Sequence, residues 1–127
     1  MKLVLILASL VLAAPALADD CSRAINQNAM NRCAEADYQA ADARLNAVYS
    51  RLMSALDDRG FRAKLISAQR AWIQFRNAEC TSQTADNEGG SIHPMVFAGC
   101  RTRLTVARTK DLEAQLVCWK NAEKCGM

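Results

Sequence analysis

The chain has 127 residues, of which 16 are basic, 13 acidic, one is histidine and six are cysteine. That length holds one domain, and a net charge of +3 lacks the clustered basic excess that nucleic acid selects. A single histidine leaves little for acid–base or metal chemistry, so no cofactor and no metal site are expected.

In chain order, Lys2 precedes an uncharged apolar run from Leu3 to Leu12, followed by Ala13-Ala14-Pro15-Ala16-Leu17-Ala18. This is the pattern of a signal peptide, with small Ala16 and Ala18 at the cleavage site. The run is too short for the roughly 20-residue helix that spans a bilayer. Cleavage after Ala18 defines residues 1–18 as the signal and 19–127 as the domain. One of the 16 basic residues leaves with the signal, so 15 stand against 13 acidic ones, a charge of +2. Asp19 and Asp20 separate Ala18 from Cys21, so there is no lipid-attachment cysteine at the cut. The expected location is periplasmic or secreted, in soluble form and without stable membrane insertion.

Beyond Ala34 the apolar residues recur in steps of three and four: Tyr38, Ala41, Leu45, Val48/Tyr49, Leu52, Leu56. That spacing predicts a helix over about 34–57, roughly 36 Å long. Asp57-Asp58-Arg59-Gly60 breaks it, and Phe61, Leu65, Ala68, Trp72 and Phe75 predict a second helix, with these residues facing the core. Asp86-Asn87-Glu88-Gly89-Gly90-Ser91 reads as a loop. Pro94 suits the first turn of a third helix, about 94–119, burying Phe97, Leu104, Leu112, Leu116 and Trp119. No stretch alternates long enough to make a strand, and the short turn at 57–60 sets neighbouring helices antiparallel. The expected fold is all-α, a disulfide-stapled bundle of three main helices.

Export to an oxidising compartment and an even cysteine count point to three disulfides, and no C-x-x-C occurs. The topology places Cys21, Cys33, Cys80 and Cys100 at one end of the bundle and Cys118 and Cys125 at the other. Disulfides need Cα atoms about 4.4–6.8 Å apart, so Cys118 pairs with Cys125. Seven helical residues would hold those two about 10 Å apart, so the third helix must break between Trp119 and Lys124. Cys80 with Cys100 would staple the glycine-containing loop and leave Cys21 with Cys33, although crossed pairings among these four stay open.

Catalysis finds little support. His93 is the only histidine, no serine sits in a nucleophile elbow, and the cysteines are consumed in disulfides. Asp86-x-Glu88 offers too few oxygen ligands for a calcium loop. Arg70, Arg76 and Glu79 on the second helix admit two readings, an anion site or a structural ion-pair set joined by Asp42. Arg76 and Glu79 stand at i and i+3, and the ion-pair reading weighs more.

Several motifs stand out together along the helices and the loop. They are Met30-Asn31-x-Cys33, Tyr38-x3-Asp42-x2-Leu45-Asn46-x2-Tyr49-x2-Leu52-Met53, and Ala68-Gln69-Arg70-Ala71-Trp72-Ile73-x-Phe75-Arg76-x2-Glu79-Cys80. Gly89-Gly90-Ser91-x2-Pro94 with Cys100, and Leu104-Thr105-x2-Arg108-Thr109, complete the set. Together they resemble the LprI-type lysozyme-inhibitor-like family of exported bacterial proteins over about 21–112, leaving Cys118 and Cys125 as an extension.

The resemblance implies a protein-binding module whose partner is lysozyme, inhibited by occlusion of its cleft. The alternative is an envelope interaction or structural protein with another partner. A lysozyme cleft holds two carboxyl groups, one a protonated acid, so an inhibitor needs a protruding group that can reach them. Ser91 and His93 can supply it, within an end made locally acidic by Asp86, Glu88 and Glu79. The plainer reading, which weighs more, has Ser91 or His93 capping the third helix.

Overall fold

The computed structural model describes residues 21–121, in which three long helices follow one another. Helix α1 is Gln27–Ala55, α2 is Arg59–Gln83 and α3 is His93–Lys120, with a single 3-10 turn at Ala85–Asn87 between α2 and α3. The expected signal peptide, residues 1–18, and Cys125 lie outside the described residues. No helix among those described is long and apolar enough to cross a membrane.

Helix α1 begins a full two turns earlier than the apolar spacing indicates. Its first turns are polar, and the start is set by Asn26, whose side chain accepts from the Ala29 N–H at 2.9 Å. Cys33 therefore lies within α1 rather than at its start. Leu56 takes an extended backbone and ends the helix. Asp58 then caps α2, accepting from the Phe61 N–H at 2.9 Å. Pro94 falls in the first turn of α3, where no N–H is needed, and α3 stops at Asn121, whose backbone is extended. That stop satisfies the break expected after Trp119.

The chain runs up, down and up, so α1 and α3 are parallel and α2 antiparallel to both. The parallel pair makes most of the close backbone approaches. Helix α2 stands further off, joined to the pair through long side chains. Leu45, Val48, Leu52 and Leu56 of α1, Leu65 of α2, and Leu112 and Leu116 of α3 form one apolar cluster, with Tyr49, Met53 and Trp72 packed against it. It fills only the half of the bundle nearest the α1–α2 turn.

Two of the expected stripes need correction. On α2 the buried positions are Leu65, Gln69, Arg76 and Cys80 rather than Leu65, Ala68 and Phe75. Phe61, Phe75 and Trp119 are 47%, 52% and 45% exposed, while Trp72, Phe97 and Leu104 are partly buried. The face of α2 is rotated by one residue because the layer beneath it is not aliphatic. It is built from guanidinium groups and rings, and Gln69 and Arg76 belong to it.

Candidate functional site

The segment between α2 and α3 is held at three levels. Cys80–Cys100 joins the helices at its base, with Cα atoms 5.6 Å apart and Cys80 fully buried. Above it the Thr84 hydroxyl donates to the Cys80 carbonyl at 2.7 Å and lies 3.3 Å from His93 Nε2. A hydroxyl has one proton, and here it is already committed, so Nε2 carries the hydrogen and donates to Thr84. At the third level Asn31 Nδ2 donates to the Ser91 carbonyl at 2.9 Å, and Gln27 Nε2 orients Asn31 from one turn away at 2.8 Å. Cys21–Cys33, also with 5.6 Å between Cα atoms, ties the segment before α1 to the same end. Cys118 is disulfide-bonded as well.

Between these anchors the backbone folds as consecutive turns, Asn87 to Thr84, Glu88 to Ala85, Gly90 to Asn87 and His93 to Gly90. Gly89 sits at φ +78°, a left-handed conformation that glycine adopts freely. Asp86, Glu88 and Ser91 are exposed along this segment. Neither acid forms an ion pair among the described residues. His93 is half-buried and stacks on Phe97, with ring centroids 5.7 Å apart. The capping role considered for Ser91 and His93 is not used: the residue before α3 is Ile92, which offers no side-chain bond. Ser91 instead contributes its carbonyl to Asn31, and His93 ties the two ends of the loop together.

From His93 a stack of alternating rings and guanidinium groups descends between the helices. Arg101 lies over Phe97 at 4.7 Å and over Tyr38 at 3.9 Å. Arg76 lies over Tyr38 at 5.2 Å and Trp72 at 5.0 Å, and Arg108 over Trp72 at 5.9 Å. Each cation also has an anchor at its edge. Arg101 bonds Glu35 at 2.7 Å, Arg76 Nη1 donates to Asp42 at 2.8 Å and to the buried Thr105 hydroxyl at 3.0 Å, and Arg108 Nε donates to Gln69 at 3.1 Å. The Nε atoms of Arg76 and Arg101 are buried without an acceptor, which opposes the gain of about 0.5–2 kcal/mol per cation–ring contact.

The structure thus brings Asp42 and Arg76 together and separates the other two residues of the expected ion-pair set. Arg76 does not meet Glu79 across the turn, because it points inward to Asp42, while Glu79 accepts from Gln83 Nε2 at 2.6 Å. Arg70 is on the exposed side of α2. Sequence reasoning missed Glu35, Arg101, Thr105 and the ring partners. A signal was present: Glu35, Tyr38 and Asp42 stand at i, i+3, i+7, as do Gln69, Trp72 and Arg76, and Arg101, Thr105 and Arg108 stand at i, i+4, i+7. Such polar sets share one face of each helix. No group of three or more His, Cys, Asp or Glu side chains among the described residues is arranged to hold a metal ion.

An uncharacterised protein of Rhizobium meliloti (strain 1021) is 38% identical over 106 residues, covering 74% of this chain and 76% of its own. No solved structure matches the chain. The profile of the family described as lysozyme inhibitor LprI matches residues 18–112, three quarters of the sequence, and the chain belongs to that family.

Proposed function

We propose that the protein is an exported lysozyme inhibitor that docks through the stapled segment 84–93, with Asp86, Glu88 and Ser91 as contact residues and His93 as the residue that holds their spacing. In this reading the chain is a ligand of an enzyme and not a catalyst. The observation that carries it is an exposed acidic tip fastened at three levels. A pinned loop loses little conformational entropy on docking, and two uncompensated carboxylates attract a basic lysozyme and speed encounter.

The test is lysis of cell walls by several lysozymes with the oxidised chain 19–127 added. Native chain should inhibit at least one of them. Glu88→Lys with Asp86→Lys should weaken inhibition about tenfold, roughly 1.4 kcal/mol, with the native chain's advantage shrinking as salt is raised. Ser91→Ala should weaken it less. A native chain that inhibits no lysozyme ends this reading and leaves an envelope module with another partner, to be sought by pull-down.

A further inference from the structure

At the end of the bundle remote from the stapled loop, a groove of about 380 Å³ opens between the three helices. Buried Leu52, Leu56 and Leu65 form its floor, and the exposed rings of Phe61 and Trp119, edge to face at 5.1 Å, form a wall. Its size falls within the range of about 300–1,000 Å³ typical of small-molecule sites, and its lining is mostly apolar with few polar groups, as those sites are. Among the described residues, the ionisable side chains lining it are two cations, Lys64 and Arg108. No acid among the described residues pairs with either. Arg108 is also held in place: its guanidinium carbon lies 5.9 Å over the Trp72 ring and its Nε donates to Gln69, leaving the paired terminal nitrogens available. That edge of a guanidinium matches a carboxylate in two parallel hydrogen bonds.

We infer that this groove binds an apolar-bodied carboxylate, its hydrocarbon or aryl part on the leucine floor against Phe61 and Trp119 and its acid group on Arg108, with Lys64 adding charge. Lys64 also lies over the Phe61 ring at 5.7 Å, and exposed aromatic rings beside two cations that no described acid neutralises fit an anionic amphiphile better than a second copy of this chain, which would bring its own cations against these. The site is independent of the lysozyme reading, since it lies at the opposite end of the molecule.

The oxidised chain 19–127 is titrated with sodium dodecanoate below its micelle concentration and with dodecanol as the neutral control, by calorimetry and tryptophan fluorescence. Saturable one-site binding is expected, with the acid about tenfold tighter than the alcohol. Lys64→Gln should weaken dodecanoate about threefold and Arg108→Gln should remove most of the preference for the acid. Ala68→Trp, at an exposed lining position, should block binding while leaving the helical spectrum and any lysozyme inhibition unchanged. Absence of saturable binding, equal affinity for acid and alcohol, or indifference to Ala68→Trp overturns the inference. Binding only by a Cys118→Ser chain ending at Asn121 assigns the groove to residues 122–127 instead. A dimer made monomeric by Phe61→Ser assigns it to a second copy, and both outcomes reject the carboxylate.

Discussion

Arg76 shows how a charge is accommodated in a small bundle. It is only 5% exposed, yet it meets one carboxylate, one hydroxyl and the faces of two rings. Removing one partner of a buried pair costs about 3–5 kcal/mol when the other is left dry, but the Asp42 side chain retains 33% of its exposure and water can reach it. Arg76→Met should therefore cost about 2–3 kcal/mol in urea unfolding with disulfides intact. Thr105→Val, which keeps the shape and removes an acceptor, should cost about 1 kcal/mol. An Arg76→Met chain as stable as the native one would show that the stack is incidental to the fold. At this scale the sequence was only partly legible. Arg76 and Asp42 stood out as charges on helical faces, but an apolar template assigned the buried side of α2 to Ala68 and Phe75, because it gives guanidinium groups no place in an interior.

At the scale of elements, the three helices and the turn at 57–60 were readable because caps, breakers and period agree there. The start of α1 was not, since its first two turns carry Gln27, Asn28, Asn31 and Arg32 and lack an apolar stripe to detect. The cysteines were legible through topology: helix length alone places Cys33, Cys80 and Cys100 at one end, and both pairings favoured there are the ones formed. The loop's turn chemistry was visible in Gly89-Gly90, whereas the roles of Ser91 and His93 depend on Asn31 and Thr84, contacts that no local pattern announces. Closing the 20-residue separation between Cys80 and Cys100 should contribute about 3 kcal/mol in the chain-entropy model. The Cys80→Ser/Cys100→Ser variant should unfold at correspondingly lower urea and lose inhibition with it. Gly89→Ala places a side chain at φ +78° with open space around it. It should cost about 1 kcal/mol through backbone strain alone, measured by the same unfolding curves, and a neutral result would mean that the loop rearranges.

Across the whole molecule, stability is divided along the axis. One half holds the leucine cluster and the bonded Cys118, and the other holds Cys21–Cys33, Cys80–Cys100 and most of the ring–guanidinium stack. Every cysteine on α1 and α2 lies in the second half, so α2 is covalently held near its C-terminus, while its N-terminal turns rest on Leu65 and a half-exposed Phe61. Native-state hydrogen exchange should therefore be faster for the amides of residues 63–68 than for residues 76–82, by about tenfold or more if the difference in local opening exceeds 1.4 kcal/mol. Uniform exchange along α2 would contradict this division.

That attachment makes α2 a lever with its fulcrum at Cys80. Leu65 is 15 residues away, roughly 22 Å along the axis, so a tilt of about 5° at the fulcrum displaces it by about 2 Å. The groove at the far end can widen by that amount while the loop beside the fulcrum keeps its shape.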